Sequence, residues 1–108
     1  MKEKTGQIFS ISKDNPPVAG CTVSKSIYSG NGYDITYFSL AENTDISAET
    51  YKYPKICIVN SGEMEVYTSD NQVWKLNKDK SIVLPMAKPV GMKTDKGYIY
   101  TEIAVKKE

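Results

Sequence analysis

Lys55 and Cys57 are the pair of side chains in this sequence with the widest range of possible chemistry. They lie two residues apart in the run Lys55–Val59, so on a β-strand both would point to the same face. A lysine there is able to anchor an anionic ligand or to serve as an amine in acid–base or Schiff-base chemistry. Its charge would also favour a reactive thiolate at Cys57. The alternative is that Cys57 is a core residue, because a free thiol in an apolar run normally packs as a small hydrophobe.

The 108 residues contain no histidine, which removes the usual base for a catalytic cysteine or serine. The sequence also lacks a glycine-rich phosphate loop and the ligand spacing of a zinc site. We therefore assign no catalytic residue from the sequence.

Composition is that of an ordinary globular domain with a net charge of +1 and interleaved charges of both signs. No basic stripe is present for a nucleic-acid backbone, and the apolar stretches are too short to span a membrane. The first residues show no signal-peptide core, and Cys21 and Cys57 do not make a disulfide framework. We predict a cytoplasmic protein with a single domain over residues 1–108.

Short runs rich in Ile, Val, Tyr, Thr and Phe, separated by turn residues, predict an all-β fold. The predicted strands are Ile8–Ile11, Thr22–Tyr28, Tyr33–Leu40, Lys55–Asn60, Met64–Thr68, Gln72–Leu76, Ser81–Leu84, Val90–Lys93 and Tyr98–Val105. Little or no helix is expected, since the best helical candidate, Asp45–Tyr51, holds only one Ile and one Ala as aliphatic residues.

Turn residues between these runs predict hairpins at Gly30–Gly32, Asn60–Gly62 and Ser69–Asn71, with Asp95–Gly97 closing the last one. These positions hold glycine, asparagine and aspartate, which tolerate tight turns. These signals indicate one compact β domain.

In the last predicted strand, the aliphatic residues Ile99, Ile103 and Val105 alternate with two tyrosines and Glu102. A sheet with one buried face produces this alternation. The run Ile56–Val59 is apolar on both faces, as expected for a strand whose outer side is also covered, for example by another subunit.

The spacing before Gly62 resembles the first motif of the cupin superfamily. That motif runs Gly, five residues, His-x-His, three or four residues, Glu, six residues, Gly. Aligned on Gly62, it puts Lys55 at the glutamate, Tyr51 and Glu49 at the two histidines, and Asn43 at the first glycine. Asparagine, like glycine, tolerates a left-handed turn.

The second cupin motif runs Gly, five residues, Pro-x-Gly, two residues, His, three residues, Asn. Aligned on Pro85, it places Asp79 and Ala87 at the glycines, Val90 at the histidine and Thr94 at the asparagine. The resemblance implies a small barrel of the double-stranded β-helix, or jelly-roll, type.

Cupins with the full motif hold a divalent metal, but here the ligands are replaced. Val90 has no lone pair, and Lys55 brings a positive charge to a position where a carboxylate would bind the cation. Glu49 and Tyr51 alone do not complete a site. We predict no metal and no other cofactor.

The resemblance therefore implies a metal-free barrel that binds a small polar or sugar-like molecule at its mouth. The expected contacts are polar groups from Glu49, Tyr51 and Lys55 and apolar walls from Cys57, Val59, Val90 and Met92. Lys55 would either anchor an anion or pair with Glu49 and plug the cavity, and the residues leave both possibilities open.

Two alternatives remain at this point. One is a metal-independent isomerase, epimerase or lyase with Tyr51 or Lys55 as the acid–base group. The other is a structural module whose barrel is filled. Whether the protein is an enzyme is left open, with binding favoured over catalysis, and the resemblance implies a homodimer, because such barrels commonly pair through a sheet face.

Overall fold

The computed structural model describes residues 5–106, which form eight strands and one short helix. The elements are α1 (Ile11–Asp14), β1 (Thr22–Ser29), β2 (Tyr33–Leu40), β3 (Thr44–Glu49), β4 (Lys55–Thr68), β5 (Val73–Asn77), β6 (Ser81–Val83), β7 (Val90–Thr94) and β8 (Tyr98–Val105). Strands make up 56% of the structure and helix 4%, which confirms the all-β prediction. Since α1 is a single turn, the described chain contains no helical membrane span.

The strands build one curled antiparallel sheet in the order β1-β2-β8-β4-β7-β3, with β5 and β6 paired to β4. β4 connects the two halves of this sheet. Its first half pairs with β8 and β6, and its second half pairs with β5 and β7. The curl gives the sheet one inner face, and this confirms the predicted jelly-roll architecture.

β4 continues as one strand of fourteen residues through Asn60–Gly62, so the hairpin predicted there is wrong. The register with β8 shifts between Val59 and Ser61, which marks a β-bulge. Gly62 has a φ of +82°, and a Cβ at this position would overlap the carbonyl oxygen of Gly97. These turn-type residues therefore bend a strand instead of ending it.

Two of the other predicted turns are confirmed, and one is not. Gly30–Gly32 joins the paired strands β1 and β2, and Ser69–Asn71 joins the paired strands β4 and β5. Asp95–Gly97 joins β7 to β8, but within residues 5–106 these two strands pair with different halves of β4 and not with each other. The last predicted hairpin is therefore a crossing between the two halves of the sheet.

The predicted strand Ile8–Ile11 is also wrong, because this segment leads into α1. The Ser10 side chain accepts a hydrogen bond from the Lys13 backbone N–H, as an N-cap does. The buried Asn15 after the helix donates to Ser39 Oγ at 3.3 Å. This side-chain anchoring ties the segment to the outer side of β2.

β3 (Thr44–Glu49) was not predicted, and it occupies most of the segment that was the best helical candidate. It is an edge strand that pairs with β7 and leaves four of its six residues exposed. Ile46 is its one aliphatic residue larger than alanine, and it packs partly buried against the core. An edge strand with so few buried positions has no clear alternation for the sequence to reveal.

β8 has the predicted alternation, and the face that carries its tyrosines and Glu102 turns inward. Tyr98, Tyr100 and Glu102 are buried on the inner face, whereas Ile99 and Ile103 are half-buried on the outer face. The predicted period of two is confirmed, and the structure decides which of the two faces is inside. The part of the inner face that β8 contributes is therefore aromatic and ionisable.

Candidate functional site

The site forms where the first half of β4 lies beside β8. The register places Glu102 opposite Cys57 and Lys55 opposite Ala104, one row nearer the end of the strand. On the other side of β8, Thr36 of β2 lies opposite Glu102. Paired residues share a face, so these polar groups gather at one end of the inner surface.

The Lys55 ammonium lies between a carboxylate and an aromatic ring. Its Nζ is 3.5 Å from Oε2 of Glu102 and 3.9 Å from the centre of the Tyr51 ring. The side chains of Lys55 and Glu102 are only 20% and 9% exposed. The prediction that Glu49 is the partner of Lys55 is therefore wrong; the partner is on β8, forty-seven residues away in sequence.

Glu49 lies at the exposed end of β3, where it pairs with Val90. It makes no ion pair with Lys55 in this structure, but its negative charge raises the pKa of both Tyr51 and Glu102. Glu49 is thus a charged group at the rim of the cluster.

Burial is the main influence on the Glu102 carboxyl and raises its pKa above the usual range. The positive charge and hydrogen bond of Lys55 act in the opposite direction, and the charge of Glu49 adds to the rise. Glu102 is therefore easier to protonate than an exposed glutamate.

Tyr98 and Tyr100 carry buried hydroxyl groups that find no hydrogen-bond partner among residues 5–106. Their rings stack 5.4 Å apart, and Tyr100 also stacks on Phe38 at 4.9 Å. Burial raises the pKa of both phenols, so each stays protonated and keeps an O–H donor with no acceptor. Buried polar groups are almost always paired, so these two hydroxyls call for an explanation.

Cys57 is fully buried, and burial raises the pKa of its thiol. Glu102 raises this pKa further, while Lys55 lowers it by a smaller effect. The two residues do share a face, but the lysine does not activate the thiol. Cys57 is a core residue.

Val90 and Met92 are buried in the same core cluster as Cys57. Both are almost fully buried, and neither lines the two surface grooves that the described residues form. Two surface grooves, of about 560 and 730 Å³, lie elsewhere, and neither is lined by Lys55 or Glu102. We place the candidate site at the unpaired hydroxyls because unsatisfied polar chemistry, and not groove volume, points to a ligand.

The sequence analysis missed Glu102, Tyr98 and Tyr100 as site residues. The available signal was their spacing of two residues, which places all three on one face of β8. β8 pairs with β4, the strand that holds Lys55 and Cys57. Reading that signal required the inner face of β8 to be known.

The residues at the metal-ligand positions do not fit a divalent cation. Lys55 is an ammonium already paired with Glu102, and Tyr51 lies beneath it with its pKa raised by burial. Val90 offers no donor atom. Within residues 5–106, no group of three or more Cys, Asp or Glu side chains is arranged to hold a metal.

Solved structures share this arrangement of strands. A conserved protein of unknown function from Streptococcus pyogenes has a TM-score of 0.87 at 17% identity, covering 98% of this chain and 92% of its own. A cupin superfamily protein from Desulfitobacterium hafniense has a TM-score of 0.77 at 18% identity, covering 83% and 82%. An RmlC-like cupin from Shewanella frigidimarina has a TM-score of 0.73 at 13% identity, covering 84% and 81%.

This chain has the cupin fold. No protein-family model matches its sequence, and the search of curated proteins found no match. The resemblance predicted from two motif spacings is thus confirmed by three-dimensional similarity and not by sequence identity.

The backbone keeps the cupin turns although the ligands are gone. Asn43 and Asp79, at the positions of the opening glycines of the two motifs, have φ angles of 57° and 73°. Both lie in the left-handed region that favours glycine and, among other residues, asparagine and aspartate. The backbone therefore has left-handed turns at both positions where the cupin motifs begin with glycine.

Proposed function

We propose that this cupin-fold protein binds a small polar molecule inside the barrel, beneath Lys55 and Tyr51, without a metal. The observation that carries this proposal is the pair of buried, unpaired hydroxyls of Tyr98 and Tyr100. Each unsatisfied buried hydroxyl costs about 1–3 kcal/mol. A ligand that pairs with them offsets this cost on binding.

Lys55 and Tyr51 form the cover of this site. Both are half-buried, and the ammonium rests on the ring at 3.9 Å. A long lysine side chain changes rotamer readily, so Lys55 is able to move off the Tyr51 ring when a ligand binds. Polar contacts at the rim and aromatic walls below fit a polar ligand with an apolar part.

A thermal-shift screen of sugars, sugar phosphates and organic acids tests the proposal. Binding to the folded state raises the melting temperature in a concentration-dependent way. We expect at least one class to do so, and we expect Lys55→Met to abolish the shift. Lys75→Met, at an exposed position on β5, is the matched control and should keep the shift. No shift from any class, or an equal loss in both variants, would contradict the proposal.

The pKa of Tyr51 and the contacts of Lys55 favour binding over acid–base catalysis. Burial raises the pKa of Tyr51, which moves it further from the neutral range in which a general acid or base works well. Lys55 is held by Glu102 and Tyr51. We therefore do not propose the isomerase, epimerase or lyase alternative.

We also propose that two copies of this chain, in the cytoplasm, pair through the outer face of β2, β8, β4 and β6. On that face Ile35, Ile103, Ile56 and Val83 lie opposite one another in a single row across the four strands. Val83 is 64% exposed. An uninterrupted aliphatic row is typical of a surface that another chain covers.

Sedimentation velocity over a range of concentrations tests this pairing. We expect a dimer for the wild type and a monomer for Ile103→Lys. Val73→Lys introduces the same charge at an exposed position on β5 and should leave the dimer intact. A wild type that stays monomeric at all concentrations would exclude the homodimer.

A further inference from the structure

We propose that the ligand of the interior site is a small carboxylic acid, bound as a monoanion together with one proton that Glu102 takes up. The inference rests on the proposed function and adds a chemical class to it. It follows from the donors and acceptors of the cluster and from its charge.

The hydrogen-bonding groups of the cluster are mostly donors. Lys55 contributes an ammonium, and Tyr98 and Tyr100 contribute O–H groups that have no acceptor. Glu102 is the acceptor now facing Lys55 at 3.5 Å, a long distance for a charge-assisted hydrogen bond. When Glu102 is protonated, it too becomes a donor. These four donors complement a ligand with acceptor oxygens.

The charge of the cluster selects a monoanion. With Lys55 positive and Glu102 negative, the buried pair is neutral. Adding an anion would leave one uncompensated buried charge, which is costly. Protonation of Glu102 restores neutrality for one negative charge but not for two, so a carboxylate fits and a phosphate dianion does not.

The groups around Glu102 favour this protonation. The titratable groups coupled to it are Lys55 and Cys57 on β4, Tyr98 and Tyr100 on its own strand, and Glu49 and Tyr51 before β4. On β2 the paired residue, Thr36, does not titrate. Burial and Glu49 raise the pKa of Glu102, and only Lys55 lowers it.

Isothermal titration calorimetry with propionate and benzoate, each against its neutral amide, and with inorganic sulfate, a dianion at both pH values used, tests the inference. At pH 5.5 we expect the wild type to bind an acid more tightly than its amide, with no binding of sulfate. At pH 7.5 we expect the acid to bind at least about tenfold more weakly, because Glu102 must take up a proton on binding and the proton concentration is lower. Titrations in buffers that differ in their heat of ionisation should show that the protein takes up close to one proton for each acid molecule bound.

Variants connect this behaviour to the named groups. Glu102→Gln keeps a neutral donor in place, so we expect its affinity for the acid to differ by less than about twofold between the two pH values. Lys55→Met should lose binding, and Lys75→Met should behave as the wild type. Tyr100→Phe should weaken binding at both pH values.

The outcomes separate the two proposals. If a sugar or an amide binds and depends on Lys55 while the acids do not bind, the interior site stands and the carboxylate inference is wrong. Binding of the acid without pH dependence, or an unchanged pH dependence in Glu102→Gln, also overturns the inference. If no probe binds and the wider screen finds no ligand, the proposed function itself fails.

Discussion

Tyr100→Phe tests the feature on which the candidate site depends. The substitution removes one hydroxyl that is fully buried and has no hydrogen-bond partner, and it leaves the ring stacked on Phe38 and Tyr98. Tyrosine-to-phenylalanine changes usually weaken a folded protein by the value of a lost hydrogen bond, about 0.5–1.5 kcal/mol. Here no bond is lost, so the expected sign is reversed.

The magnitude follows from the cost of an unsatisfied buried hydroxyl, about 1–3 kcal/mol. The small void left by the missing oxygen reduces the gain, so we expect Tyr100→Phe to raise the free energy of unfolding of the ligand-free protein by about 1 kcal/mol. For a domain of about 100 residues this corresponds to a rise of about 4 °C in melting temperature. Tyr98→Phe should act in the same direction, and the two gains need not add because the rings are in contact.

Urea unfolding, followed by circular dichroism and the fluorescence of Trp74, measures this change. The m-value should stay constant, since the surface exposed on unfolding hardly changes. Tyr33→Phe is the matched control: this residue is 45% exposed, and we expect a change within about 0.5 kcal/mol of zero. A loss of stability in Tyr100→Phe of about 1 kcal/mol would show that the hydroxyl is paired, and the proposed ligand site would lose its basis.

Three further predictions concern Glu102, Gly62 and the cysteines. Burial raises the pKa of Glu102 above its ordinary value of 4.5, so the folded state binds this proton more tightly than the unfolded state does. The stabilisation of the wild type by this proton is present below pH 4.5 and is lost as the pH rises through the folded-state pKa. Over that interval the free energy of unfolding of Glu102→Gln should rise relative to that of the wild type, as measured by urea unfolding at several pH values. Gly62→Ala should lower the free energy of unfolding by more than about 3 kcal/mol, because the added Cβ meets backbone atoms at positive φ, whereas Gly20→Ala, with φ +74° and open space, should lose only about 1–2 kcal/mol. A thiol reagent should label exposed Cys21 quickly and Cys57 only on unfolding, because burial raises the pKa of the Cys57 thiol and blocks access.

Each of these has a distinct contrary result. A stability gap between wild type and Glu102→Gln that is constant with pH would mean that the carboxyl is solvated. Equal losses in the two glycine variants would mean that β4 does not approach Gly97 closely. Fast labelling of two thiols in the folded protein would place Cys57 at an open surface.

Much of the fold was accessible from local pattern. Seven of the eight strands coincide with predicted runs, since alternation and β-branched residues act through neighbouring positions. The strand β3 within the segment Asp45–Tyr51 could not be predicted, because an edge strand buries too few side chains to produce a clear alternation of apolar and polar residues. The bend at Asn60–Gly62 was misread because glycine and asparagine suit both a hairpin turn and a bulge.

The sequence by itself determined that this chain has no imidazole, that the metal positions hold Glu49, Tyr51, Lys55 and Val90, and that its strands alternate with a period of two. Only the tertiary structure decided which face of β8 turns inward. A period of two defines two faces and does not say which is inside, because that choice depends on pairing between β4 and β8, which are distant in sequence. That pairing brings Glu102 to Lys55 and creates the cluster.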